Sequence, residues 1–365
     1  MPTQLFMLYG KAIMIDKSVS NIVLTVGCKF NPPKGGIAQV LSIYNSQIFP
    51  KFNFVANSCN GSVLVRFFYM IYGFLHFIIK LSFSRQIKIV HIHTSSNHGF
   101  LRSSFYIKVS KVFRKKVLIH IHGGGFKDYY NRKSHFVKRY LNMCDGIISL
   151  SDSWKHFFTD IVSTNVYVIP NVINEPVFDD SVHDAKQLHL LFLGDICKEK
   201  GIFDLVDVIS NNYSVFDGRV VMHICGLGNV PELMSVVAEN KLDNVVKYEG
   251  WVIGKKKIDL LNLCDIFILP SYYEGMPISI IEAMSYRMAI ISSAIGGIPE
   301  LVKNNYNGCL ITPGDKDAIL NSVSFFIDNP LRIKEFGHNS YVDSLQYLPS
   351  SVSGKLNSLY LKMLV

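Results

Sequence analysis

The fourteen residues Ser271-Tyr272-Tyr273-Glu274-Gly275-Met276-Pro277-Ile278-Ser279-Ile280-Ile281-Glu282-Ala283-Met284 carry more chemistry than any other part of the chain. They read as a strand end, a tight loop and a helix. Pro277 falls at the first helical position, and Gly275 allows close backbone approach. The unpaired N–H groups of such a helix start suit an anion, because their dipoles sum to a partial positive charge there. Glu274 falls in the loop and Glu282 on the helix, so the two address different parts of one extended ligand. Carboxylates are good acceptors for the vicinal hydroxyls of a sugar. Taken singly, the two glutamates read as solvated side chains beside a capped helix; the whole string fits that reading poorly.

Histidines form a second constellation. His91-x-His93 and His120-x-His122 end two strands, and strand alternation puts each pair on one face. A four-histidine metal site is conceivable, but no carboxylate motif stands at ligand spacing beside it. His122 reads as a site residue, His91 and His120 as satisfied interior imidazoles. Asp315-Lys316-Asp317 has the D-x-D form, but it follows Pro313-Gly314 in a surface-like turn, which argues against a role on a metal–diphosphate.

The elements that must hold these residues alternate between short β-branched runs and longer helical stretches, the pattern of parallel sheets with crossover helices. Strands are predicted at 22–26, 87–92, 117–121, 146–150 and 166–169, and a second series at 188–193, 220–225, 245–248, 266–269 and 289–292. The segment 170–186, with two prolines, separates them. The predicted fold is α/β, two Rossmann-like domains facing across a cleft, with ligands at the carboxyl ends of the strands. Its parts are an appendage at 1–20, an N-terminal Rossmann-like domain at 21–172, a hinge linker at 173–187 and a C-terminal Rossmann-like domain at 188–345. A C-terminal helix at 346–365 is expected to pack back toward the N-terminal domain.

The 365 residues suit two domains, and 49% hydrophobic with 18% charged residues excludes a disordered chain. Seven scattered cysteines without a C-x-x-C pair exclude a disulfide framework or zinc knuckle and fit a reducing cytosol. Residues 1–175 hold 21 Lys+Arg against six Asp+Glu, the remainder 16 against 22. This basic N-terminal half suits nucleic acid, an anionic membrane surface or a phosphorylated substrate. The apolar run 67–79, bracketed by Arg66 and Lys80, is too short to span a bilayer and reads as a buried core helix rather than an interfacial one. The first residues lack a secretory pattern, so the protein reads as unexported.

The glutamate string, written E-x7-E, together with Gly296-Gly297-Ile298-Pro299-Glu300, resembles the retaining GT-B glycosyltransferases of family four. The resemblance covers about residues 21–345 and extends to Gly35-Gly36, His120-Ile121-His122-Gly123, Pro170-Asn171, Glu199-Lys200-Gly201 and Gly226-Leu227-Gly228. It implies that Glu274 contacts the donor sugar and Glu282 the nucleotide ribose. It likewise implies that Lys200 binds the diphosphate, that Gly35 and Gly36 approach it, and that His122 sits near the reaction centre. Gly226, Gly275, Met276, Pro277 and Ile278 fall among the donor-binding positions, Trp251 borders the base, and Lys127 lies toward the acceptor. Two positions depart from the pattern. Asp195 follows Gly194 where an arginine is common, and Arg287 stands where a helix usually ends in glycine.

The resemblance implies a metal-independent transferase that moves a sugar from a nucleoside diphosphate, UDP or GDP, with retention and without a further cofactor. The basic N-terminal half points to a glycan or lipid-linked acceptor at an anionic membrane, as in capsule or lipopolysaccharide synthesis, rather than to nucleic acid. The protein is accordingly expected in the cytoplasm, peripheral on the inner face of the cell membrane. A nucleotide-sugar epimerase of the same architecture and a non-catalytic nucleotide-sugar-binding protein remain as alternatives.

Overall fold

A computed structural model describes residues 14–179, 181 and 187–365. Most of the expected appendage and six residues of the expected linker, 180 and 182–186, lie outside the described residues. The chain divides into two compact units, one formed by the residues up to Asn174 together with Gln346–Val365, the other by Glu175–Leu345.

In the first unit six strands, β1 Val23–Cys28, β2 Phe54–Ser58, β3 Ile89–Thr94, β4 Lys116–Ile121, β5 Gly146–Ser149 and β6 Val166–Val168, form one sheet in the order β2-β1-β3-β4-β5-β6. Every neighbouring pair is parallel. Strands β3 and β5 are buried along their whole length, as strands covered by helices on both faces must be. The strand order reverses between β1 and β3, which opens a crevice at their carboxyl ends, the place where open α/β sheets bind ligands. The Gly35-Gly36 loop follows β1, and the histidine pairs end β3 and β4.

The second unit repeats the scheme with β7 Leu188–Leu193, β8 Val220–Cys225, β9 Val246–Gly250, β10 Ile266–Leu269, β11 Ala289–Ser293 and β12 Gly308–Ile311, in the order β12-β11-β10-β7-β8-β9. Here too all pairs are parallel. Its reversal lies between β7 and β10, and the loops leaving those two strands carry Lys200 and Glu274.

Three expectations need correction. The run 67–79 is the middle of a 21-residue helix, Val63–Phe83, in which only Gly73, Phe77 and Leu81 are buried, so it is not a core helix. By length and composition alone it is apolar enough to cross a membrane. Arg66 and Lys80, read as its brackets, lie within it. The described end of the appendage is packed rather than appended: Lys17–Ile22 is a short helix with Val19 and Ser20 buried, and it leads directly into β1. Strands β2 and β12 have no counterpart among the predicted strands. The C-terminal helix Pro349–Lys362 packs on the first unit, where Tyr360 reaches His91 and Asn357 donates to Asp16 at 3.0 Å.

Candidate functional site

In the second unit the glutamate loop is a built structure. Lys200, on the turn after β7, donates from Nζ to Glu274 Oε1 at 2.5 Å, and Ser271 Oγ donates to the same oxygen at 3.0 Å. The Glu274 side chain is 9% exposed and that of Lys200 26%, so the pair is largely withdrawn from solvent. Gly296 and Gly297 buttress this loop. Gly296 has φ +54°, and a Cβ there would lie 2.0 Å from the Glu274 carbonyl oxygen, while Gly297 N donates to Gly275 O at 2.6 Å. The second signature element thus shapes the first. Gly226 has a similar reason, since a Cβ would stand 1.8 Å from the Gly194 carbonyl oxygen.

The helix after the loop runs Ile278–Ser285 with all but Ser279 buried. Pro277 is its N-cap, one residue outside the expected position, and no side chain caps the helix start. Met276 is buried beside it. Glu282 is buried and receives two bonds from Lys257 Nζ, at 2.7 Å to each carboxylate oxygen. Lys257 was not among the predicted site residues. It stands third in the run Lys255-Lys256-Lys257, and the helical turn of about 100° per residue separates it from its neighbours. Lys255 pairs with Asp259, and Lys256 with Glu249. Trp251 is exposed, and Tyr248, three residues before it, donates to the Gly226 carbonyl at 2.9 Å. Asp195 is exposed. Asp315 caps the helix Lys316–Asp328 by accepting from Ala318 N at 2.9 Å, a structural use of that carboxylate.

Arg287 keeps the left-handed conformation expected of a glycine, with φ +63°, and its guanidinium lies 4.1 Å from the Phe178 ring centroid and 5.3 Å from that of Tyr341. Backbone strain of about 1 kcal/mol is therefore offset by stacking worth about 0.5–1 kcal/mol. Arg287→Ala, which keeps the strain and loses the stacking, should lower unfolding stability in urea by about 1 kcal/mol, whereas Arg287→Gly should be close to neutral. Equal losses in the two variants would remove the left-handed backbone from the account.

In the first unit, Gly35 caps the helix Gly36–Ile43 with φ +89°, a conformation that favours glycine, and no side chain caps that helix. Beside it the four histidines stack. His122 Nδ1 donates to Asn171 Oδ1 at 3.1 Å, which leaves Nε2 as acceptor for His93 Nδ1 at 2.9 Å. Burial is the main cause that lowers the His122 pKa to about 4, against the raising effect of Asn171. It also lowers His91 to about 3, and His93 and His120 well below the usual value. His122 is thus a neutral ring of defined tautomer.

The expectation of satisfied imidazoles fails in part. His91 Nδ1 meets Tyr360 Oη at 2.7 Å, but its Nε2 and that of His93 have no hydrogen-bond partner. His120 lies beside the Ile169 backbone without a full hydrogen bond at either ring nitrogen. Nitrogens of His91, His93 and His120 lie within 4.8 Å of one another. Tetrahedral zinc with bonds of about 2.0–2.1 Å needs its ligands about 3.3 Å apart, and nothing anionic in the cluster offsets the charge. The cluster reads as neutral packing.

That reading gives a pH dependence. All four rings are held neutral in the fold and protonate readily in the unfolded chain, so their stabilising effect is complete above about pH 6.5 and is lost as pH falls toward 4. The urea midpoint should fall steeply across that window. His120→Leu, which removes a ring with no full hydrogen bond, should flatten the fall without lowering the midpoint at pH 7.5. A slope unchanged in His120→Leu would show that this cluster does not set it.

Lys127, expected on the acceptor side, is exposed, with Nζ 5.6 Å from the Trp154 ring and 5.5 Å from that of Phe157.

Known proteins resemble this chain in sequence and in fold. The model for glycosyl transferases group 1 matches residues 174–343, and that for Glycosyltransferase Family 4 matches 58–175, nearly one model per unit. The chain is 25% identical over 248 residues to an uncharacterized glycosyltransferase of Methanocaldococcus jannaschii, covering 62% of this chain and 63% of that protein. It is 24% identical over 225 residues to the amylovoran biosynthesis glycosyltransferase AmsK of Erwinia amylovora, covering 57% and 54%. A shorter match, 31% over 103 residues and 28% and 27% of the chains, is to the N,N'-diacetylbacillosaminyl-diphospho-undecaprenol alpha-1,3-N-acetylgalactosaminyltransferase of Campylobacter jejuni. The chain spans less than two thirds of the length of the first curated relatives it matches.

Among solved structures, sucrose-phosphate synthase from Thermosynechococcus elongatus superposes with a TM-score of 0.76 at 16% identity, over 94% of this chain and 98% of that one. HepE of Anabaena in complex with UDP gives 0.73 at 15%, over 93% and 99%. The fold is GT-B. On that fold, the two family models together support a glycosyltransferase.

Proposed function

We propose that the protein is a retaining, metal-independent glycosyltransferase that moves a sugar from a nucleoside diphosphate, UDP or GDP, to a hydroxyl of a lipid-linked or membrane-presented glycan. Surface polysaccharide synthesis at the inner face of the cell membrane is the setting. The observation that carries the reading is the Lys200–Glu274 pair at the strand-order reversal of the second unit, next to the uncapped helix start at Ile278. One group there is cationic and one accepts hydroxyls, as a sugar diphosphate requires.

In the reaction the bond from the sugar's anomeric carbon to the diphosphate oxygen breaks as the acceptor oxygen bonds to the same face. The acceptor proton passes to the departing phosphate oxygen, so no protein base is needed. Lys200 and the helix start stabilise the charge that grows on the diphosphate. Glu274 holds the donor sugar hydroxyls, Glu282 the ribose, and Gly35 and Gly36 let the backbone approach the phosphates. Neutral His122 orients the sugar. No further cofactor is required. Support for the donor comes from the UDP complex of HepE, and for the acceptor from the diphospho-undecaprenol in the name of the Campylobacter enzyme.

The test is thermal shift against UDP-, GDP-, ADP- and dTDP-sugars, followed by transfer with the sugar that binds, since binding to the folded state raises the melting temperature. A shift with one base and a product of retained configuration is expected. Binding without transfer to any lipid-linked acceptor would favour the non-catalytic alternative.

A further inference from the structure

The helix Val63–Phe83 is mostly apolar on its outward side as well as on its seated one. Gly73, Phe77 and Leu81, spaced by four, seat it on the first unit, where Phe77 meets the Tyr106 ring with centroids 4.9 Å apart. The other side carries Leu64, Phe67, Phe68, Ile71, Leu75 and Ile79, a helical stripe whose members are each at least 41% exposed. A helix apolar on both sides belongs in a core or at a membrane, and this one is not in a core. The adjacent helix His98–Val112 adds exposed Leu101, Phe105 and Val112. Contiguous exposed apolar surface of this kind marks an interaction face.

Charge identifies the occupant. No aspartate or glutamate occurs between Asp16 and Asp128, a stretch of 111 residues holding 15 lysines and arginines. The first unit as a whole has 23 basic residues against five acidic ones, whereas the second has an acidic excess of nine. The helix itself carries Arg66 and Lys80 and no acid. An apolar stripe embedded in a field of one sign fits an anionic lipid surface better than a second copy of the same face, which would repel itself.

The mode of contact follows from how the helix is held. A Cβ on Gly73 would lie 2.2 Å from the Ala56 carbonyl oxygen, and Lys80 Nζ donates to the Phe54 carbonyl at 3.2 Å, so the helix is seated along β2. It can present one side to lipid without leaving the sheet. It cannot cross a bilayer while those contacts hold.

We infer that the outward stripe of Val63–Phe83, with the exposed apolar residues of His98–Val112, docks the first unit on an anionic phospholipid bilayer, the helix lying in the interface. This rests on the proposed membrane-presented acceptor and supplies the surface that would bring the enzyme to it. Apolar insertion resists salt and the basic field does not, so the two contributions separate experimentally.

The test is flotation of the full chain with vesicles of phosphatidylcholine alone, or of equal parts phosphatidylcholine and phosphatidylglycerol, at low and high salt. The protein should float with the mixed vesicles and keep a bound fraction at high salt. Phe68→Glu with Leu75→Glu, both at exposed positions, should lower partitioning at least about ten-fold and abolish the salt-resistant fraction. Flotation unaffected by the double substitution, or no flotation of the wild type, would overturn the docking face. So would sedimentation showing a wild-type dimer that the substitutions convert to monomer while flotation is unchanged, since the face would then belong to a second copy. Nucleotide-sugar thermal shifts should be the same in both proteins. Their absence alongside normal flotation would overturn the transfer reading and leave the docking face standing.

Discussion

Lys200→Ala is expected to lower the rate of sugar transfer by about 10²–10³-fold, the usual cost of deleting one preorganised group that stabilises charge in the transition state. EDTA should leave the rate unchanged. The lysine's position explains the asymmetry. It is brought to Glu274 by the turn after β7 and held at 2.5 Å in a site where Glu274 is 9% exposed, so its charge acts with little screening by water. A competing account is that Lys200 serves only to neutralise Glu274. The double substitution Lys200→Ala/Glu274→Gln separates the two, since a merely neutralising lysine becomes dispensable once the carboxylate is gone. If the double variant transfers as fast as Glu274→Gln alone, Lys200 has no separate action on the diphosphate. Loss of activity in EDTA, restored by a divalent cation, would reopen the metal reading for Asp315 and the histidines.

How much of this was legible in the sequence depended on burial. Strands β7, β8 and β10 match their predicted spans because each is an almost wholly apolar run, interrupted only by the buried His189 in β7 and His223 in β8. Strands β2 and β12 escaped although the other two sheet edges, β6 and β9, were found: Phe54–Ser58 and Gly308–Ile311 are half-buried and carry Asn57-Ser58 and Gly308, residue types common in turns. The helix Val63–Phe83 was shortened for a different reason. Arg66 and Lys80 were read as its ends, yet Lys80 sits inside the helix with its ammonium on a backbone carbonyl, and a long side chain can place its charge away from its own Cα.

The site shows the same division. Glu274, Glu282 and the glycines that shape their loop share one short stretch of sequence or a recurring spacing. The His93–His122 contact joins residues 29 apart, and Lys257 reaches Glu282 across 25 residues from a run of three lysines. Composition could not say which lysine turns inward. The helix Gly254–Leu263 decides it by rotation, sending Lys255 to Asp259 and Lys257 to the buried carboxylate.

That pair shapes the second large effect. Glu282→Ala should weaken nucleoside diphosphate binding by about 1–3 kcal/mol, or roughly five- to 150-fold, if the carboxylate holds the ribose hydroxyls. It should also lower the melting temperature, because Lys257, 23% exposed, would lose both of its 2.7 Å bonds and leave a partly buried ammonium unpaired. The two losses must be told apart. An ionised carboxylate has about four lone-pair sites, so the lysine does not exhaust it, and Glu282 can hold Lys257 and ribose together. Lys257→Met leaves the carboxylate in place and removes the cation. It should reproduce much of the loss in melting temperature but not the loss in nucleotide affinity. Isothermal calorimetry with the nucleoside diphosphate, beside thermal unfolding of both variants, measures the two effects on the same samples. If Lys257→Met weakens nucleotide binding as much as Glu282→Ala does, the glutamate acts only by anchoring the lysine, and the ribose contact must be sought elsewhere in the second unit.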